Sequence, residues 1–130
     1  MLYLASRSPR RRRLLRQLGR PFRIVRSTYR ETIHRGEPPA RNAVRNAVGK
    51  ARGARLPRGA SGVVIGADTL LYFQGRILGK PRNLSDARRM LRALSGRSHW
   101  VYTGLCLYHA PAGRQRTGYV KTKVTFKPLT

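Results

Sequence analysis

The sequence predicts an α/β (α+β) domain in which helices flank a mixed, twisted sheet. Two observations predict it. Apolar runs of strand length alternate with segments whose apolar residues recur at helical spacing, and the breaks between them fall on capping residues, glycines and prolines. A chain of 130 residues, 40 % of them hydrophobic, suits one domain with one modest core.

Residues 2–5 read as a short buried strand. Ser8 then caps a helix whose first turn accepts Pro9, and Gly19 stops that helix after about Leu18. Residues 22–25 form a second strand, and Pro38-Pro39 closes the irregular segment after it. Ala43, Val44, Ala47, Val48 and Ala51 mark the next helix, and residues 53–62 form a Gly/Pro/Arg-rich connection. Residues 63–68 are nearly continuously apolar up to Asp68, the pattern of a buried strand that delivers an acid at its end. Residues 70–73 and 76–78 make a hairpin through Gln74-Gly75. Ser85 caps a helix with Ala87, Met90, Leu91 and Leu94 as its apolar stripe and Gly96 at its end. Residues 98–108 and 117–126 read as two antiparallel strands, the second leaving a sheet edge bare.

The charge is lopsided: 29 Lys and Arg against 4 Asp and Glu give a formal +25. Such a surface concentrates phosphate-bearing molecules of any kind, so nucleotides, nucleic acids and anionic membranes all qualify on charge alone. The linear sequence shows no nucleic-acid motif and no interleaving of basic with aromatic residues, so non-specific contact is all it predicts for nucleic acid. An arginine-rich nucleic-acid-binding module, or a relative without activity, stands as the alternative to an enzyme. Cys106 is the single cysteine, which excludes an internal disulfide, and no Cys/His cluster has zinc spacing; a reducing compartment, the cytoplasm, is expected. The apolar residues 1–5 are too short for a signal-peptide core or a membrane span, and no membrane partner is expected.

Chemistry concentrates in three places. The turn from Ser6 to Pro9 passes into a helix opened by four arginines, and a strand-to-helix turn offers a phosphate both free N–H groups and the positive end of a helix dipole. Arg11 falls in the middle of the Leu14, Leu15 and Leu18 stripe, where it either meets an anion or snorkels to water. The four carboxylates, Glu31, Glu37, Asp68 and Asp86, are the only hard ligands for a divalent cation. Asp68 is the best placed of these, with an Asx-type turn as its structural alternative; Asp86 belongs to a helix's first turn. Lys80, held between Gly79 and Pro81, is a fixed point charge for a phosphate, and Lys50 lies at the edge of its helix's stripe. His99 reads as a structural histidine and Cys106 as an inert core thiol.

In order and spacing, residues 4–11 (LASRSPRR), Leu14-Leu15, residues 64–69 (VIGADT), Gly79-Lys80-Pro81, residues 94–99 (LSGRSH) and Thr103-Gly104 resemble the Maf family of nucleoside triphosphate pyrophosphatases, also called septum formation inhibitor proteins. The resemblance spans essentially the whole chain. It implies a Maf/ITPase-like fold with a cleft between two lobes, Mg²⁺- or Mn²⁺-dependent hydrolysis of a nucleoside triphosphate to monophosphate and pyrophosphate, and a homodimer. It also implies Asp68 as proton acceptor, with Ser6, Arg10, Arg11, Glu31, Lys50 and Lys80 as cleft residues and Asp68 and Glu31 at the metal. Thr69 and Arg10 resemble the subgroup acting on dTTP and UTP. Arg30 and Gly49 stand where the family usually has acids, which thins the metal site. The expectation is a single Maf-like domain over residues 1–130 that lacks the family's C-terminal part.

Overall fold

The structure is a computed structural model and describes residues 1–128. Along the chain run β1 (Leu2–Leu4), α1 (Pro9–Arg16), β2 (Arg23–Ile24), α2 (Pro39–Arg52), β3 (Gly62–Phe73), β4 (Arg76–Leu78), α3 (Leu84–Leu94), β5 (Ser98–Ala110) and β6 (Arg114–Thr125). They build a mixed sheet of order β2-β1-β3-β5-β6, with β4 paired to β3. β1 is parallel to both β2 and β3, whereas β5 pairs antiparallel with β3 on one side and with β6 on the other. This is the mixed α/β sheet with flanking helices that the alternating pattern predicts.

The helix α2 lies across β3 and β5, and its small residues explain how closely. Ala43, Ala47 and Ala51 are 0, 0 and 1 % exposed, and the strands beneath them carry glycine. A Cβ on Gly66 would stand 2.2 Å from the Ala47 carbonyl oxygen, and one on Gly104 would stand 2.4 Å from the Ala43 carbonyl carbon and oxygen. Helix backbone therefore rests on strand backbone with no side chain between. Tyr3, Ala5, Val64 and Cys106 complete this part of the core.

Several boundaries depart from the sequence reading; β5 runs on to Ala110 and β6 starts already at Arg114, and three further differences bear on the site and the helices. β3 does not stop at Asp68 but continues to Phe73, because its alternation persists and each residue from Gly62 to Tyr72 pairs with β5. Asp68 thus sits mid-strand, with its side chain on the α2 face. α3 is capped by Asn83, not Ser85: the Asn83 side chain accepts the Asp86 N–H at 2.8 Å and the helix starts at Leu84, leaving Ser85 inside the first turn. The predicted apolar stripe of α3 holds in part: Leu94 is buried, Ala87 and Met90 are half-buried, and Leu91 is 46 % exposed, while Arg88, Arg89 and Arg92 face water. α1 is likewise shorter than read, ending at Arg16 before a turn to Gly19, whose φ of +73° favours glycine. The other expected elements form, and β6 is an edge strand.

Candidate functional site

The β1–α1 turn carries the first half of the site. β1 buries Ser6 just past its end; its Oγ accepts the Ser8 N–H at 3.1 Å, and the Ser8 Oγ in turn caps α1 by accepting the Arg11 N–H at 3.3 Å. Arg11 points inward as expected, although of the stripe it was placed on only Leu15 is buried, Leu14 and Leu18 being 55 and 68 % exposed. Its guanidinium donates to Ser6 Oγ at 3.4 Å and to Thr69 Oγ1 at 3.0 Å, and Thr69 is bonded onward to Thr103. Burial lowers the pKa of Arg11 from its ordinary value, against the opposing charges of Asp68 and Glu31, and Arg10 lowers it further. Arg10 itself is exposed on the first turn. A cation already short of water gains from any phosphate that reaches it.

The second half is a chain of charges. Lys50, on α2, donates to Asp68 Oδ1 at 3.1 Å and to the Ala67 carbonyl at 3.2 Å, and pairs with Glu31 Oε1 at 2.5 Å. The more exposed Lys80 approaches the same Glu31 oxygen at 3.2 Å. Asp68 is 3 % exposed and accepts through Oδ2 from Asn46 Nδ2 at 3.1 Å. The structure therefore brings Glu31, Lys50, Asp68 and Lys80 together, with Ser6, Arg11 and Thr69 beside them.

Sequence reasoning missed Asn46. It is 2 % exposed, and its Oδ1 accepts the Tyr29 hydroxyl at 2.7 Å and the Thr32 N–H at 3.1 Å, which fixes the amide so that Nδ2 faces Asp68. The available signal was an asparagine pair, Asn42 and Asn46, set one helical turn apart along the alanine stripe. Gly49 admits the Tyr29 ring, since a Cβ there would lie 2.1 Å from it.

The remaining candidates are structural. Asp86 accepts the Arg82 N–H at 3.1 Å and pairs with Arg89. His99 is buried edge-on to Phe126, with ring centroids 5.0 Å apart. Burial raises the Cys106 thiol, with only Arg52's charge opposing, which leaves it a weak nucleophile.

For Glu31, burial pushes the pKa up, but hydrogen bonds and charge from Lys50 and Lys80 outweigh it and hold the carboxyl below its ordinary 4.5. A depressed folded pKa gives stability that is fully present above the unfolded value and is lost as pH falls through the folded one. Glu31→Gln is therefore expected to melt below the parent at neutral pH, with the gap closing as pH drops below 4.5. Thermal melts of both proteins from pH 7 to 3 check this; a gap that widens in acid would assign the ion pairs no such role.

No group of three or more His, Cys, Asp or Glu gathers among the described residues. Magnesium often takes one or two carboxylates and fills its remaining positions with water and substrate phosphate, so Glu31 and Asp68 fit that ion as a minimal set. Lys50 already bridges the two, and would share their oxygens with it.

A family model described as Maf-like protein matches residues 1–130. The chain belongs to that family. Among similar Maf-like proteins, one named dTTP/UTP pyrophosphatase from Moorella thermoacetica is 46 % identical over 129 residues, covering 99 % of this chain and 66 % of the relative. Proteins of the same name from Syntrophus aciditrophicus and Thermococcus kodakarensis are each 44 % identical, over 98 and 99 % of this chain and 62 and 67 % of their own lengths. The chain thus spans about two thirds of these Maf-like relatives. No described helix is long and apolar enough to cross a membrane.

Proposed function

We propose that this chain is a nucleoside triphosphate pyrophosphatase that converts dTTP, UTP or modified nucleotides to the monophosphate and pyrophosphate, and that residues 1–130 act as one Maf-like domain. One observation carries the proposal: a buried aspartate is joined through Lys50 to Glu31 and Lys80, beside an inward-facing Arg11 at a helix N-terminus. The names of its relatives support the same substrates.

The chemistry follows from the geometry. A triphosphate brings several negative charges, and Arg11, Lys50 and Lys80 offer three cations beside one carboxylate pair, with Ser6 and Thr69 orienting Arg11 and the exposed Arg10 next to it on the first turn. Water attacks the α-phosphorus, a new P–O bond forms, the bond to the bridging oxygen breaks, and pyrophosphate leaves. Asp68, held at both oxygens by Lys50 and Asn46, orients that water and takes up its proton, while Glu31 keeps the two lysines in place. Fixed cations aimed at the leaving phosphates stabilise charge where it develops. A divalent ion, Mg²⁺ or Mn²⁺, held by Asp68 and Glu31 would add neutralisation of the phosphates. A cytoplasmic location, a homodimer and a part in restraining cell division belong to the same reading and rest on family membership.

Incubation with dTTP or UTP and Mg²⁺, followed by chromatography of the products, tests the assignment. Monophosphate and pyrophosphate in equal amounts are expected; diphosphate with inorganic phosphate would place the attack at the wrong phosphorus.

A further inference from the structure

Strand pairing creates a surface that the linear sequence conceals. On the α2 face of the sheet, Tyr72 lies opposite Trp100, Trp100 opposite Lys123, and Tyr102 opposite Lys121, with Tyr119 next along β6. The three tyrosine rings form a continuous row: Tyr72 and Tyr102 meet edge-on with centroids 6.1 Å apart, and Tyr102 and Tyr119 are tilted by 31° at 6.2 Å. The Lys121 ammonium stands 4.9 Å from the centre of the Trp100 ring. Lys121 and Lys123 are exposed, Tyr119 is 53 % exposed, and Trp100, Tyr102 and Tyr72 are half-buried.

The row runs into a cavity of about 670 Å³ between the start of α2 and the β3–β4 hairpin, lined by Tyr72 and by Arg35 and Arg76 among others. Its one carboxylate, Glu37, is engaged by Arg45 and His34 and so offers little repulsion. Asp68 lies four residues back along β3 on the same face, about 13 Å away at the ordinary strand rise.

We propose that this aromatic and basic face binds single-stranded polynucleotide. Every base has a π-face that can stack on a tyrosine or indole whatever its identity, and Lys121 and Lys123, paired across from Tyr102 and Trp100, stand beside the rings where the phosphates of a stacked strand would run. A formal charge of +25 supplies the attraction at long range. Acidic peptide would use the charge but leave the row of rings without a role, and a membrane would need the rings to insert, whereas Tyr72, Trp100 and Tyr102 are half-buried and offer mainly a surface to stack on; nucleic acid is favoured on that ground.

Trp100 is the only tryptophan, so its fluorescence reports on this face alone. A 20-nucleotide oligo-dT titrated into the 130-residue chain is expected to quench it saturably, with affinity falling as salt rises; polyphosphate, which lacks bases, binds without comparable quenching. Tyr119→Ala, at an exposed ring outside the hydrolytic site, is expected to weaken oligo-dT binding about 5- to 100-fold and leave polyphosphate binding unchanged. Lys121→Gln is expected to reduce the slope of log affinity against log salt by about 0.7. Equal affinity for both polymers with no loss in Tyr119→Ala would reduce the binding to charge alone and overturn the proposal, as would quenching by anionic vesicles in place of oligo-dT. Asp68→Asn is expected to bind oligo-dT like the parent, so this outcome is independent of hydrolysis.

Discussion

Asp68→Asn is expected to slow hydrolysis of dTTP or UTP by about 100-fold or more, the usual range for removing a proton acceptor. Its side chain has the same shape but only one accepting oxygen. Lys50 and Asn46 both donate to the aspartate, so in the variant one of them confronts an amide N–H and loses its partner. An unsatisfied buried donor costs about 1–3 kcal/mol, small enough to leave the variant folded. Steady-state rates paired with a denaturation curve separate the two effects. Parental turnover in a folded Asp68→Asn protein would remove Asp68 from the chemistry.

Gly104→Ala should produce a large loss of stability from a single methyl group. The new carbon would lie 2.4 Å from the Ala43 carbonyl and 2.6 Å from the Val44 nitrogen, both backbone atoms of α2 that cannot swing aside as a side chain would. Overpacking of cores costs roughly 1–3 kcal/mol, and a clash with backbone belongs at or above the top of that range, a large share of a typical domain's 5–15 kcal/mol. Because α2 carries Asn46 and Lys50, lifting it would also part both from Asp68. Gly118→Ala on β6 is the control, since a Cβ there meets nothing within 4 Å. Urea midpoints of the two variants test the contrast, and similar midpoints would show that α2 has room to move.

Much of this molecule was legible in its residues. Strand and helix order followed from periodicity, the α1 cap from Ser8-Pro9, and the inward aim of Arg11 from its angle on a helical wheel. What escaped were features set by partners distant in sequence. The extension of β3 past Asp68 depends on the whole length of β5 pairing with it, and a carboxylate inside an apolar run looks like a terminus when the neighbouring strand is unknown. The Asn83 cap was hidden because Ser85 is an equally good capping residue two positions later. Asn46 looked like an ordinary helical polar residue, and only the loop from Tyr29 to Thr32, folded back over α2, makes it a buried amide with every bond committed. The row of tyrosines was invisible for a similar reason: Tyr72, Tyr102 and Tyr119 come from three strands, and register alone places them side by side.

The ion pairs carry a last consequence. Glu31, Glu37, Asp68 and Asp86 each already sit against a lysine or an arginine, so every aspartate and glutamate side chain is engaged. Dissolved phosphate, sulfate or chloride must offset most of the arginines, and choosing a buffer for this protein amounts to choosing part of its composition.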